Sequence, residues 1–149
     1  MKRMHLHISV EDINKSIGFY NSLFGATPTV SKPDYAKWML DDPSVNFAIS
    51  QRGAKAGLDH IGIQVESDTE LSEIKSRLEN AELSLLTEEG ATCCYAKSDK
   101  HWVQDPSGIA WETYHTLDSA PTFSSQESTE LSAACCVPAT QKVQFISKK

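Results

Sequence analysis

The sequence predicts an α+β domain in which two βαβββ modules share one cupped, eight-stranded mixed sheet. Three observations carry this: an internal repeat, a helix-period segment after each copy of the repeated strand, and short strands joined by Asp-Pro-Ser turns in both halves. The repeat relates His5-Leu6-His7-Ile8-Ser9-Val10-Glu11-Asp12 to His60-Ile61-Gly62-Ile63-Gln64-Val65-Glu66-Ser67, 55 residues further on. Each copy opens with His, places aliphatic residues second and fourth, and ends in Val-Glu and a capping residue. Alternation of period two puts Leu6, Ile8 and Val10 on one face of the first strand and His5, His7 and Ser9 on the other.

The first helix is expected in EDINKSIGFYNSLFG, capped by Asp12 or Ser9, buried through Ile13, Ile17, Tyr20 and Phe24, and stopped by Gly25. The second is expected in LSEIKSRLENAEL, after Ser67 or Asp68, with Leu71, Ile74 and Leu78 as its buried stripe. KPDYAKWMLDDPSVNFAIS and CCYAKSDKHWVQDPSGIAWETYH supply the remaining strands, turned at Asp42-Pro43-Ser44 and at Asp105-Pro106-Ser107-Gly108. Four short strands do not readily close a sheet alone, whereas two modules side by side enclose a shared cavity. The modules span about 3–50 and 57–116 of a domain covering 1–116. Residues 117–149 are rich in Ser and Thr, lack sustained periodicity and are expected to form a flexible tail.

A chain of 149 residues with 40% hydrophobic and 23% charged residues fits one soluble core and a tail. No apolar run approaches the roughly 18 residues of a membrane span, and the N-terminus lacks a signal-peptide pattern, so a cytoplasmic location is expected. A net charge of -6 with scattered basic residues offers no footprint for nucleic acid or a membrane surface, which leaves a small-molecule ligand. The four cysteines form two adjacent pairs, Cys93 with Cys94 and Cys135 with Cys136, a poor layout for a secreted disulfide framework and a good one for soft metals or metalloids.

Matched positions in a paired repeat face each other, so His5 and His60 are expected to converge across the pseudo-two-fold axis. Glu112 is the only acid in the late strand Ile109-Ala110-Trp111-Glu112-Thr113-Tyr114, where a buried carboxylate needs a partner. The expected metal set is therefore His5, His60 and Glu112, with His7 as the rival of His5 and with His101 and His115 peripheral. The first-module counterpart of Glu112 falls near Asn46 or Ala48, neither a strong ligand. Two imidazoles and one carboxylate leave open coordination positions, as in Fe(II) enzymes that activate oxygen.

HLHISV with EDINKSIGFY, then DHIGIQV, then DPSGIAWETY resemble, in that order, the glyoxalase, bleomycin-resistance and extradiol-dioxygenase (vicinal-oxygen-chelate) superfamily over about residues 3–116. More narrowly, YAKWMLDDPSVNFAI, LDHIGIQV, ATCCYAKSDKHWVQDPSGIAWETY and the terminal Cys-Cys resemble the cadmium-induced and organoarsenical carbon-arsenic lyase family. That family often carries Gln at the position matched by His5. The resemblance implies catalytic and metal-binding roles for His5, His60 and Glu112, with Fe(II) as the expected metal and zinc, manganese or nickel as alternatives. It implies that Cys93 and Cys94 bind a trivalent organoarsenical, whose carbon-arsenic bond is cleaved with dioxygen to release arsenite. A homodimer is expected. The competing readings are a heavy-metal binding protein and a glyoxalase-like enzyme. For the thiols to grip one atom, Gly90-Ala91-Thr92-Cys93-Cys94 must be an irregular loop near the metal, with Lys97, Lys100 and His101 as candidates for lowering the thiol pKa values.

Overall fold

The computed structural model describes residues 2–121. The elements run β1 (Arg3–Ser9), α1 (Ile13–Phe24), β2 (Val30–Lys32), β3 (Tyr35–Asp41), β4 (Ser44–Ser50), then β5 (Gly57–Val65), α2 (Asp68–Asn80), β6 (Leu86–Cys93), β7 (Ala96–Gln104) and β8 (Ala110–Ser119). Two βαβββ modules thus follow one another, as the repeat implies. The strands form one mixed sheet in the order β2-β3-β4-β1-β5-β8-β7-β6, which reads the same from either edge once the modules are exchanged. β1 and β5 pair antiparallel at its centre, flanked by the parallel pairs β1 with β4 and β5 with β8.

Local chemistry sets the helix ends. The Asp12 side chain accepts from Lys15 N, and Gly25 closes α1 at φ 62, where the absence of a Cβ makes the left-handed turn inexpensive. Ser67 caps α2 by accepting from Glu70 N. No described helix is long and apolar enough to cross a membrane.

Each helix covers the apolar face of its own module. Ile13, Ile17, Tyr20 and Phe24 pack with Leu6, Ile8, Trp38, Phe47 and Ile49, while Leu71, Ile74 and Leu78 pack with Ile63 and Val65. The alternation in β1 therefore has its expected effect, with a difference. The polar residues His5, His7 and Ser9 are the more deeply buried set, because they face into the curl of the sheet. The two Asp-Pro-Ser segments make turns: Asp42-Pro43, joined by a cis bond, links β3 to β4, and Asp105 Oδ1 accepts from Ser107 N and Ile109 N before β8. β8 continues to Ser119, beyond residue 116, pairing Asp118 with Lys97 and Ser119 with Ala96. The sequence from 122 onward, including Cys135, Cys136 and most of the expected tail, lies outside the described residues.

Candidate metal centre and thiol pair

Strand register brings the three expected ligands together. His5 in β1 lies opposite Gly62 in β5, and Gly62 lies opposite Glu112 in β8, so one row crosses three adjacent strands. His60 occupies the next inward-facing position of β5 and projects between His5 and Glu112. His5 Nε2 and His60 Nε2 are 3.1 Å apart, and Glu112 Oε2 is 3.7 Å from the first and 3.5 Å from the second. All three residues are at most 5% exposed.

The hydrogen bonds behind these atoms fix what they offer. His5 Nδ1 faces the Asn46 carbonyl oxygen at 3.1 Å, an obligate acceptor, so Nδ1 carries the hydrogen and Nε2 keeps its lone pair. His60 Nδ1 is 2.6 Å from the Asp59 carboxylate, which also accepts from Ser9 Oγ, so His60 likewise donates from Nδ1. His5 Nε2, His60 Nε2 and Glu112 Oε2 then converge on one point, an arrangement that a bound cation would satisfy. Donors held ~2.0–2.2 Å from one ion at tetrahedral or octahedral angles lie ~2.8–3.6 Å apart, close to the separations found here. The donor set fits a divalent metal. Asp59 and the Asn46 carbonyl are the outer partners that orient such ligands.

Electrostatics agree with the geometry. Burial lowers the His5 pKa to about 4, with His60 adding to the effect, so this imidazole is neutral at pH 7. Burial also depresses His60, but its hydrogen bonds to Asp59 and Glu112 outweigh that and raise its pKa. Burial opposes ionisation of Glu112, yet Lys100, His60 and His5 together hold its carboxyl well below the usual carboxylate range. Lys100 Nζ donates to Glu112 Oε1 at 2.7 Å, leaving Oε2 turned toward the histidines.

His7 is buried and directly opposite His60, and ligand atoms of His5, His7 and His60 all lie within 4.8 Å of one another, so it too could reach a metal. Its Nε2 meets Ser50 Oγ at 2.9 Å and its Nδ1 lies 3.9 Å from Cys94 Sγ. His7 thus stands between the triad and the thiols. His101 bonds Thr87 and His115 bonds Asp68, both away from this cluster.

Cys93 ends β6 and pairs with Ala96 at the start of β7, making Cys94-Tyr95 a two-residue hairpin turn. Both turn residues have positive φ, 54° and 60°, a conformation normally given to Asn-Gly. Left-handed backbone at two side-chain-bearing residues costs of order 1 kcal/mol or more each, and such strain concentrates at functional sites. Here the turn brings Cys93 Sγ and Cys94 Sγ to 3.3 Å, which a regular strand would forbid. Gly90 to Cys93 is strand with a bulge near Gly90, so the irregularity that brings the two sulfurs together is the turn and not the preceding segment. The two sulfurs line one cavity with His5, Asn46, Glu112 and Tyr114.

Of the three cations expected to lower the thiol pKa values, Lys100 is buried against Glu112, whereas Lys97 and His101 occupy alternate positions on the other face of β7. Burial, reinforced by Glu112, pushes the Cys94 thiol up despite the opposing effect of Lys100 and Lys37. Several residues shape the site in roles that sequence reading does not assign. Asp59 and Asn46 orient histidines, and Gly62 permits the close approach of β8: a Cβ there would lie 2.0 Å from the Glu112 carbonyl oxygen. Only Gly62 carries a sequence signal, a glycine inside a strand where the repeat has His7.

The glyoxalase/bleomycin resistance protein/dioxygenase superfamily matches residues 2–113. A trivalent organoarsenical cleaving enzyme of Bacillus sp. (strain MD1) is 43% identical, over 93% of this chain and 92% of the relative. A protein of the same name from Thermomonospora curvata is 34% identical, over 93% and 90%. The cadmium-induced protein CadI of Mycobacterium tuberculosis is 37% identical, over 84% and 83%. Among solved structures, the Mn(II)-bound glyoxalase from Novosphingobium aromaticivorans superposes with a TM-score of 0.58 at 15% identity, over 80% of this chain and 42% of the other, a likeness of fold. The chain belongs to the glyoxalase/bleomycin resistance protein/dioxygenase superfamily and, within it, to the family that contains the trivalent organoarsenical cleaving enzymes and the cadmium-induced proteins.

Proposed function

We propose that the protein cleaves the carbon-arsenic bond of trivalent organoarsenicals, with a divalent metal, Fe(II), held by His5, His60 and Glu112 and the arsenic held by Cys93 and Cys94. One observation carries this reading: His5 and Glu112 of the donor triad and the adjacent sulfurs of Cys93 and Cys94 line the same cavity, with His60 Nε2 3.1 Å from His5 Nε2. When bound, Fe(II) supplies the activation of dioxygen that cleavage with release of arsenite requires. The chain's own residues do the rest. Asp59 and the Asn46 carbonyl keep the two Nε2 lone pairs pointed inward. Lys100 keeps Glu112 ionised and occupies the oxygen that does not face the histidines. The Cys94-Tyr95 turn presents two sulfurs to one soft atom.

His7 lies between the two groups and contacts Cys94, so it belongs to the thiol side of the cavity. A glyoxalase-like reaction leaves the thiol pair unused, and simple heavy-metal sequestration leaves the triad unused. A cytoplasmic location belongs to the same reading because the pair must stay reduced, as does a homodimer. The test is metal analysis of protein purified anaerobically, followed by an arsenite-release assay with and without Fe(II). The reading expects stoichiometric iron and Fe(II)-dependent arsenite release. It expects Cys93→Ser and Cys94→Ser each to keep the iron and lose the release. A double serine variant that cleaves at the wild-type rate removes the thiols from the reaction.

A further inference from the structure

His7 is 2% exposed, and its place in the sheet follows from the pseudo-two-fold relation between the modules. One row of inward-facing positions runs His5-Gly62-Glu112 across β1, β5 and β8. Exchanging the modules turns it into His60-His7-Ala48 across β5, β1 and β4. His7 thus takes the place of Gly62, and Ala48 that of Glu112. In the second module the glycine, which has no Cβ to meet the Glu112 backbone, lets the neighbouring strand bring in a carboxylate. In the first the neighbouring strand brings only a methyl group, and the central strand itself brings an imidazole. The pair His5 and His60 therefore has a third donor on each side, Glu112 on one and His7 on the other.

The distances suit both. One ring nitrogen from each of His5, His7 and His60 lies within 4.8 Å of the other two. Nitrogens bound to one tetrahedral zinc ion lie ~3.3 Å apart, so rotation of the rings has at most ~1.5 Å to close. Neither donor is left without a partner when the other is used. Lys100 Nζ donates to Glu112 Oε1 at 2.7 Å, so a metal that leaves the carboxylate does not leave a buried charge uncompensated. Off the metal, His7 Nε2 keeps Ser50 Oγ at 2.9 Å. Ligand preference separates the two sides: two imidazoles with a carboxylate suit Fe(II), and a third imidazole suits zinc, nickel and copper.

We propose a second mode of metal binding in the same cavity, in which His7 replaces Glu112 and His5, His7 and His60 hold a nitrogen-preferring divalent ion such as zinc. This rests on the reading above that His5 and His60 are metal ligands, and goes beyond it in making the third ligand depend on the metal. The exchange involves no change of oxidation state. The lone pair of one His7 nitrogen takes the coordination position of Glu112 Oε2, the other His7 nitrogen keeps its hydrogen, and Glu112 stays ionised beside Lys100.

The experiment uses the metal-free full chain, titrated anaerobically with Zn(II) and, separately, with Fe(II) against a chromophoric chelator, together with zinc-edge X-ray absorption on the zinc-loaded protein. His7→Gln is expected to weaken zinc binding by at least about tenfold and to leave Fe(II) binding nearly unchanged, and Glu112→Gln to do the reverse. In the wild type and in Glu112→Gln the absorption spectrum is expected to show three imidazoles round zinc, and in His7→Gln two. Zinc held by His7→Gln at wild-type affinity overturns the proposal. So does a wild-type spectrum with only two imidazoles, or with a sulfur at ~2.3 Å, a reading that needs no substituted protein to fold. Retention of both metals at wild-type affinity by His5→Ala/His60→Ala defeats instead the reading of His5 and His60 as ligands.

Discussion

At Gly62 the central strand passes so close to β8 that a single methyl group would collide with the Glu112 backbone. Gly62→Ala should push β8 aside and carry the Glu112 carboxylate out of register with His5 and His60. Loss of orienting contacts around a metal typically costs 10–100-fold in affinity, and at least tenfold weaker Fe(II) binding is expected by anaerobic titration. Glu112→Ala or His60→Ala should abolish stoichiometric binding, with a smaller effect from His7→Ala. The buried histidines also predict a pH dependence. Burial holds His5 at about 4 and His7 at about 3, against 6.5 in the unfolded chain. The unfolded chain therefore binds more protons below pH 6.5, and the metal-free protein should lose stability as pH falls from 6.5 toward 4, at ~1.4 kcal/mol for each unit of downward shift at a site. His60 acts in the opposite sense: its raised pKa contributes stability that is complete below 6.5 and lost as pH rises through the folded value. The depressed carboxyl of Glu112 contributes above its unfolded pKa of 4.5 and is lost only below this window. Calorimetry on metal-free protein should show the acid-side fall, and His7→Leu should flatten it; a melting temperature constant over that range contradicts the account.

The two helices solve the same problem at the element scale with different residues. α1 ends at Gly25, but α2 ends with Glu82 in the left-handed position at φ 57, with Leu83 N bonded to the Leu78 carbonyl. Glu82→Gly should therefore raise stability by about 1 kcal/mol, measurable by urea denaturation. Ile74→Ala should lower it by ~2–4 kcal/mol, because Ile74 belongs to the stripe that holds α2 on the sheet. These elements were legible because periodicity and capping residues are local signals: Asp12, Ser67 and the Leu71, Ile74, Leu78 stripe stand where spacing places them. The β6–β7 turn was not. Cys-Tyr has no turn signature, and its positive φ values are sustained by distant contacts, Tyr95 with Asp34 and Ala120 with the Tyr95 carbonyl.

Over the whole molecule, pseudo-symmetry explains how a repeat yields one cluster of His5, His60 and Glu112 and not two. Register places Glu112 opposite Gly62 in the second module and Ala48 opposite His7 in the first, so Ala48 is the counterpart of Glu112. The repeat alone leaves Asn46 and Ala48 open, since strand register is set by pairing across the sheet. The same long-range pairing hides Lys100 and Asn46, whose roles depend on β7 meeting β8 and β4 meeting β1. It also sets the end of the fold: truncation after Pro121 should leave the melting temperature nearly unchanged, whereas truncation after His115 removes the end of β8 and should lower it by several degrees. The central claim is that one cavity brings together a metal held by the triad and arsenic held by the thiols. Anomalous diffraction at the iron and arsenic edges, from crystals loaded anaerobically with Fe(II) and a monomethyl trivalent arsenical, tests it most directly. The account predicts an iron peak where His5 Nε2, His60 Nε2 and Glu112 Oε2 converge and an arsenic peak bonded to Cys93 and Cys94 in the same cavity; iron away from the triad, or arsenic bound to neither sulfur, contradicts it.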